Sequence, residues 1–252
     1  MLRIALFFGV LGLLISCQSS QASEHSSAQV IDSSSQVSST DLAIDTTPIP
    51  VQDSVAWLLR QRMSYFGTSG EQKPCDVLPS HELGMLQEGD ILLRKGYGAV
   101  SDFIALYLDE EYTITHCGFV LLNGYDEPHI LHTASSDEVD GMYAEPISDF
   151  VTASQEKTLA AVRLKKGTAT QQKKVLQEAK RLLAKKVPFD MAFDDYDTTK
   201  MYCAEMMRYV FMEVYKEDLL DDRAQEYGLD VIHMSNFFNP ERFEIIFNHN
   251  AK

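Results

Sequence analysis

Cationic side chains are scarce in this chain of 252 residues, where 22 lysines and arginines face 37 aspartates and glutamates for a formal net charge of −15. A charge of this sign argues against nucleic acid as a partner and against electrostatic attachment to anionic lipids. It is compatible with a cationic or amine-bearing substrate, and equally with a surface that serves solubility. The apolar run near the N-terminus covers only residues 4–15. It is too short for a stable helix across a bilayer, but it fits the hydrophobic core of a secretion signal.

Cysteine is scarce as well, with four residues in the chain: Cys17, Cys75, Cys117 and Cys203. No two of them show CxxC spacing, which argues against a structural zinc site, and we predict neither a metal nor a cofactor. If Cys17 serves as a lipid anchor, an odd number of cysteines remains. In an oxidising compartment an odd number favours one thiol kept free for a purpose. Cys75 and Cys117 are candidates for a disulfide, and the sequence does not decide whether it forms.

Residues 1–16 are predicted to be a secretion signal, with Arg3 as its positive start. The signal ends in Leu14-Ile15-Ser16-Cys17, which resembles a bacterial lipobox. This resemblance implies that Cys17 is lipidated and becomes the mature N-terminus. Gln18 rather than aspartate follows, which by the same resemblance favours the outer membrane. The expected location is therefore the bacterial cell envelope, facing the periplasm, with the lipid as the only membrane contact. An ordinary secretion signal that happens to contain a cysteine is the alternative.

Composition divides the remainder of the chain into a tether and one domain. Residues 17–52 are rich in Ser, Gln, Thr and Asp and cannot bury enough apolar surface to offset the entropy of ordering. They are predicted to be a disordered tether behind the lipidated Cys17. Residues 53–252 are long enough for one domain with a hydrophobic core.

Hydrophobic periodicity predicts the main elements of this domain. Helices are expected over residues 55–66, 100–108, 170–186 and 203–215, and strands over residues 91–94, 114–122, 129–134 and 158–164. Residues 145–150 have the pattern of a connecting segment. The aromatic tail, residues 230–247, is expected to pack back as a strand.

Cys203 is the candidate nucleophile, because it stands where a helix is predicted to begin. Unpaired N–H groups and the helix dipole at such an end favour a thiolate, which is the reactive form of cysteine. Glu205 lies in the first turn and is interpreted as structural, since an anionic side chain suits the same dipole. The plain alternative is that Cys203 is a buried helical cysteine of the core.

Two histidines on neighbouring predicted strands are candidates for its partners. His116 would be the general base, with Gly118 on the same strand face leaving space beside it. His132 would hydrogen-bond the remote nitrogen of His116 and fix its tautomer, as the third member of a triad does. His129 is an alternative orienter, but it faces the other side of its strand, and His132 has the more apolar context. Each histidine could equally be an ordinary core or surface residue.

The order of these motifs resembles a known family. Gly89-Asp90 opens a strand, Thr115-His116-Cys117-Gly118 follows, then His132, Pro188-Phe189-Asp190 and Tyr202-Cys203-Ala204-Glu205. This order resembles the YiiX-like, circularly permuted branch of the NlpC-type papain-like cysteine peptidases, over about residues 86 to 215. The resemblance implies an α+β fold with a small antiparallel, barrel-like sheet packed against helices. It also implies Cys203 as nucleophile, His116 as base and His132 as orienter.

The sequence departs from this family at positions near the predicted site. In the wider family a tyrosine at the position of Phe189 can donate its hydroxyl near the oxyanion, and relatives often have a serine where this chain has Ala204. The oxyanion would then depend on the backbone N–H of Cys203 and a further donor, for which Tyr202 is the candidate. Asp90 is either a turn residue or a substrate contact.

Four acidic residues precede the nucleophile: Asp190, Asp194, Asp195 and Asp197. They are either a solvated loop or a site for the ammonium group of a substrate such as a diamino acid.

We therefore expect an enzyme that cleaves an amide bond through an acyl-enzyme on Cys203. The first substrate hypothesis is a peptidoglycan stem peptide, the amide-rich polymer of the predicted compartment. The second is a lipid or acylated small molecule such as an N-acyl amino acid, because this branch is related to lecithin retinol acyltransferase. The third hypothesis is an inactive papain-like module that binds at the envelope.

Overall fold

A computed structural model describes residues 75–136, 139–194, 198–225 and 229–250. The predicted secretion signal, Cys17, the tether and the helix expected over residues 55–66 lie outside these ranges, so they remain predictions. In the part that is described, no helix is both long enough and apolar enough to cross a membrane.

Helices and strands alternate irregularly along the described chain. The helices are α1 (Ser80–Leu83), α2 (Ala99–Leu108), α3 (Ile147–Thr152), α4 (Ala169–Lys185), α5 (Cys203–Tyr215) and a 3₁₀ helix (Met234–Phe238). The strands are β1 (Ile91–Arg94), β2 (His116–Leu121), β3 (His129–Ser135), β4 (Asp140–Pro146), β5 (Ala160–Leu164), β6 (Arg223–Ala224), β7 (Val231–Ile232) and β8 (Phe243–Asn248).

The central sheet has six strands in the order β4-β3-β2-β1-β5-β8, and its neighbouring strands are antiparallel. This mixture of helices with an antiparallel sheet confirms the predicted α+β class. The aromatic tail does return to the sheet, where β8 pairs with β5. β6 and β7 form a separate small ribbon.

Strand β4 corrects the expectation that residues 145–150 merely connect two elements. Seven residue pairs join β3 to β4, from His129 opposite Pro146 to Ser135 opposite Asp140. Position 141 of this strand requires glycine, because the backbone there has a φ of 117° and because a Cβ would lie 2.4 Å from the carbonyl oxygen of Val187. The Met142 N–H donates to the same Val187 carbonyl. Long-range pairing of this kind has no local sequence signal, which is why periodicity missed it.

The sheet separates two hydrophobic clusters, because successive side chains of a strand point to opposite faces. The larger cluster lies between the sheet and α4 and α5 and includes Cys117, Phe119 and Cys203. The smaller one, on the other face, includes Val120, Ile130 and Phe150. We call these the helix face and the α3 face. A functional group on β2 therefore belongs to one face or the other according to its position in the strand.

Candidate active site

Cys203 is the first residue of α5 and is only 2% exposed. The segment before it is fixed by two hydrogen bonds at Met201. Its N–H donates to the Pro188 carbonyl at 3.0 Å, and its own carbonyl accepts from the Thr133 hydroxyl at 3.1 Å. Glu205 accepts the Tyr202 N–H at 3.2 Å, as expected of a structural residue in the first turn. The start of α5 is thus tied to β3 and cannot shift freely.

The thiol of Cys203 lies beside the start of β2. Its Sγ is 3.9 Å from the Thr115 carbonyl oxygen, and it contacts the thiol of Cys117. The hydrogen bond from Cys117 lowers the pKa of Cys203 below its ordinary value, with help from the backbone N–H groups of Cys117 and Ala204, although burial opposes this shift. Burial and the neighbouring Cys203 raise the pKa of Cys117 well above its ordinary value. Of the two thiols, Cys203 is therefore the one with the lowered pKa and Cys117 the one with the raised pKa.

Cys117 is a site residue that the sequence analysis did not find. It was considered as a disulfide partner of Cys75, but Cys75, Cys117 and Cys203 are all free thiols. The backbone of Cys75 instead forms an isolated antiparallel β-bridge with that of Gln155. The alternation of side chains along β2 could have identified Cys117, because it places this residue on the opposite face from His116, towards the helix that carries Cys203.

The two predicted histidines are brought together on the α3 face. Nε2 of His116 lies 2.7 Å from Nδ1 of His132, and the rings meet edge to face at an angle of 82°. Gly118 makes this pairing fit, because a Cβ at that position would lie 2.3 Å from Cγ2 of Ile130 and 3.1 Å from Cβ of His132. The contact that the triad hypothesis requires between base and orienter is thus present, while their catalytic roles remain predictions.

Glu145 on β4 continues this pair. Its Oε1 lies 3.0 Å from Nε2 of His132, whose side chain is fully buried. The two atoms are close without being well aligned for a hydrogen bond, and neither has another hydrogen-bond partner in the described structure. We take them as a pair, because two buried polar atoms this close satisfy each other after a small rotation. The sequence analysis missed Glu145 because it assigned residue 145 to a connecting segment.

Phe150 and Arg94 cover the histidines. The Phe150 ring stacks on His116 at 5.7 Å and meets His132 edge-on at 5.4 Å. The guanidinium of Arg94 lies 4.0 Å above the same ring and donates to the Phe150 carbonyl at 2.5 Å. A positive charge is thereby fixed next to both imidazoles on the α3 face.

This environment favours neutral histidines. Burial lowers the pKa of His116 well below its ordinary value, and Arg94 and His132 add to that shift. Burial also lowers the pKa of His132, although the Glu145 carboxylate opposes it. Near neutral pH both rings are uncharged, which is the state that a general base needs.

The thiol and the imidazole lie on opposite faces of the sheet. Cys203 lies on the helix face and His116 on the α3 face, and the Cys203 Sγ lies 3.9 Å from the carbonyl oxygen of Thr115, the residue before His116. In the described structure no hydrogen bond joins the side chains of Cys203 and His116. Catalytic hydrogen bonds are often long before substrate binds, so this arrangement is compatible with a resting site.

Tyr202 and Phe189 do not supply an oxyanion donor. The Tyr202 hydroxyl lies 3.3 Å from the Asp230 carbonyl and accepts the Ile232 N–H at 3.0 Å. Phe189 is buried and packs edge-on against Phe193 at 5.9 Å. The predicted role of the Cys203 backbone N–H at the oxyanion stays a prediction.

Asp90 is not brought to the site. Its carboxylate binds Arg163 with contacts of 2.7 and 2.8 Å and also accepts the Gln87 N–H at 2.7 Å. It precedes β1, whose other end pairs Arg94 with His116, so about 13 Å of strand lies between them. These contacts fit the interpretation of Asp90 as a turn residue and do not fit its interpretation as a substrate contact.

The remaining candidate residues either contact other parts of the chain or lie outside the described residues. Asp190 accepts backbone N–H groups of Ala192 and Asp194 within its own loop, while Asp195 and Asp197 lie outside the described residues. His129, the alternative orienter, stacks on Tyr125 at 4.0 Å. The structure thus gives the ammonium-binding hypothesis no support.

The fold and this site define a cysteine hydrolase of papain-like type in which the histidine strands precede the cysteine helix. Residues 85–226 match the model of the permuted papain-like amidase enzyme family, YaeF/YiiX, C92. The match covers more than half of the chain, and the chain belongs to this family. It is therefore a cysteine amidase-type hydrolase, as the sequence resemblance implied.

A solved structure supports the fold. The metalloprotein YiiX from Escherichia coli O157:H7 is 19% identical, with a TM-score of 0.52 over 65% of this chain and 98% of that chain. No curated protein matches this sequence. In the described ranges of this chain, His, Cys, Asp and Glu side chains form no group of three that could hold a metal ion.

Proposed function

We propose that Cys203 is the nucleophile of this amidase, His116 its general base and His132 the orienter of that base. The observation that carries the proposal is the start of β2. There the Sγ of Cys203, a thiol with a lowered pKa at a helix N-terminus, lies 3.9 Å from the carbonyl oxygen of Thr115, and the next residue, His116, lies within hydrogen-bond distance of His132. A thiol that ionises readily, a neutral base that takes its proton and a ring that orients the base are the groups that nucleophilic catalysis requires.

The reaction would run through a thioester. The Cys203 sulfur attacks the carbonyl carbon of the amide, and backbone N–H groups at the start of α5 stabilise the oxyanion. The proton that His116 has taken from the thiol passes to the nitrogen as the C–N bond breaks, and the amine leaves. A water then gives its proton to His116 and attacks the thioester. The acid is released and the proton returns to the Cys203 sulfur.

As substrate we propose an amide bond of a peptidoglycan stem peptide. The support for this choice is the predicted lipidated Cys17, which would hold the enzyme in the envelope next to that polymer. The family fits, since its members are amidases.

A second substrate class is favoured by an aromatic row that leads to the nucleophile. Tyr107 stacks on Phe103, which contacts Phe193, and Phe193 contacts Tyr202 at 5.4 Å, next to Cys203. Leu106, on the same helix α2, is 70% exposed. Such a row suits the chain of an acylated amino acid or lipid.

The test is to incubate the full chain separately with disaccharide stem peptides and with long-chain N-acyl amino acids. Products and any acyl adduct on Cys203 are identified by mass spectrometry. The Cys203→Ala variant should be inactive, and Cys75→Ala is the matched control with another cysteine removed. Cleavage of the stem peptide supports the first substrate, and cleavage of only the acyl amides supports the second. If the wild type cleaves neither and forms no adduct, the proposal fails and a binding module takes its place.

A further inference from the structure

A line of three side chains, with the fully buried His132 in its middle, runs across three strands of the α3 face. His116 on β2 contacts His132 on β3 at 2.7 Å, and His132 contacts Glu145 on β4 at 3.0 Å. The β3–β4 register, with His132 opposite Tyr143 and Ile130 opposite Glu145, places all four side chains on one face. The position of Glu145 is therefore set by the sheet itself.

Each of these rings, when neutral, carries one proton on one of two nitrogens. Two arrangements satisfy the 2.7 Å contact: His116 Nε2–H donates to His132 Nδ1, or His132 Nδ1–H donates to His116 Nε2. In the first, Nδ1 of His116 is unprotonated and can accept the proton of a thiol. In the second, Nδ1 of His116 already carries the proton, and the ring cannot act as a base there.

A carboxylate at the far end selects between the two arrangements. Glu145 can only accept when ionised, so its Oε1 favours a proton on Nε2 of His132. Nδ1 of His132 is then a lone pair and must accept from His116 Nε2–H. The proton position on His132 therefore fixes the proton position on His116 and leaves Nδ1 of His116 unprotonated.

We propose that Glu145 is a positioning residue that sets the tautomers of both histidines and so keeps His116 able to act as a base. The inference rests on the proposed role of His116, but the tautomers can be measured without any substrate. Two features hold Glu145 in place. The β4 backbone is bonded to Val187 through Met142, and the Tyr143 ring packs on His132 at 4.3 Å.

Another interpretation is that Glu145 is simply a counter-ion for Arg94. The Arg94 guanidinium is buried, and the charge of Glu145 partly offsets the lowering of its pKa by burial. A counter-ion would affect the stability of the fold but would not choose between imidazole tautomers. The two interpretations can therefore be distinguished by measuring the tautomers of the two imidazoles.

The first measurement needs no substitution at Glu145. The full chain is labelled with ¹⁵N-histidine, and two-bond proton–nitrogen spectra report which ring nitrogens are protonated. His116→Gln and His132→Gln assign the signals. We expect both rings as the Nε2–H tautomer at pH 7.5. Finding the proton on Nδ1 of His132 overturns the proposal, whether or not the protein has amidase activity.

The second measurement compares Glu145→Leu, Glu145→Gln and the exposed-site control Glu241→Gln. Leucine cannot accept a hydrogen bond, so the preference of both rings for the Nε2–H tautomer should weaken. We expect kcat to fall by about 10- to 100-fold with KM little changed. Glutamine can still accept through its amide oxygen and should retain the tautomers in part. Glu241→Gln should leave spectra and rates unchanged. An unaltered imidazole spectrum in Glu145→Leu overturns the proposal and favours the counter-ion role. If Glu145→Leu does not fold, the imidazole spectra of Glu145→Gln and of the wild type still test the proposal.

Discussion

The two faces of the central sheet each hold half of the candidate site and treat ionisable groups in opposite ways. On the helix face, hydrogen-bond donors around Cys203 lower the pKa of the thiol despite its burial. On the α3 face, burial and the nearby Arg94 lower the pKa of His116. One face favours the charged form of its group and the other favours the neutral form.

The difference shows how a thiol that ionises readily and a neutral base that accepts its proton can be prepared separately. Donors stabilise an anion through direct contact, while desolvation and a fixed cation destabilise an imidazolium. Because strand residues alternate between faces, β2 presents Cys117 to one environment and His116 to the other. The two prepared groups then need to meet only at the start of the strand.

The largest expected effect is on the α3 face, where His116→Gln removes the proposed base. Amide hydrolysis should fall by about 10²- to 10⁴-fold, the usual contribution of general base catalysis. The measurement is kcat/KM on whichever amide substrate the wild type cleaves. His129→Gln, at a third histidine of this hairpin that does not contact His116, is the matched control and should stay within about twofold of wild type. Equal losses in both variants would contradict the assignment of His116.

The next effect lies on the helix face, where Cys117→Ala removes a donor to the Cys203 sulfur. A hydrogen bond to a charged group contributes about 1.5–3 kcal/mol, so the pKa of Cys203 should rise by about one to two units. Cys117→Ser keeps a donor and should shift it less. The pH midpoint of Cys203 alkylation by iodoacetamide, read by mass spectrometry on the full chain, reports this pKa independently of how accessible the thiol is. Identical midpoints in the alanine variant and the wild type would show that Cys117 only fills space.

The smallest effect concerns the packing that brings the two histidines together. Gly118→Ala places a methyl group 2.3 Å from Cγ2 of Ile130 and should destabilise the fold by about 1–3 kcal/mol through overpacking. Urea denaturation of the full chain measures the change. Adding Ile130→Ala removes the clashing atom, so the double variant should lose less than the sum of the two single variants. Additive losses would mean that the space beside Gly118 does not limit the histidine pair.

Local pattern was sufficient for much of the fold and for part of the site. The helix beginning at Cys203 was predicted with its observed bounds, and the strands that carry His116 and His132 were found with small differences at their ends. These segments have strong periodicity, and a buried strand or helix face leaves that periodicity in the sequence. The contact between the two histidines was also predicted from the sequence, from their places on neighbouring strands and by analogy with the third member of a triad.

The sequence could not give the residues whose role depends on pairing between distant segments. Glu145 lies on a strand that exists because β3 offers it seven partners, and Gly141 fits only because Val187 passes close by. The proximity of Cys117 to Cys203 likewise depends on how α5 packs on the sheet. By itself, the sequence determined the candidate nucleophile, the candidate histidines and the class of fold, since these follow from local pattern and motif order. Only the tertiary structure decided that the thiol and the imidazoles occupy opposite faces with Glu145 behind them, because strand register and helix packing are set by contacts between residues far apart in the chain.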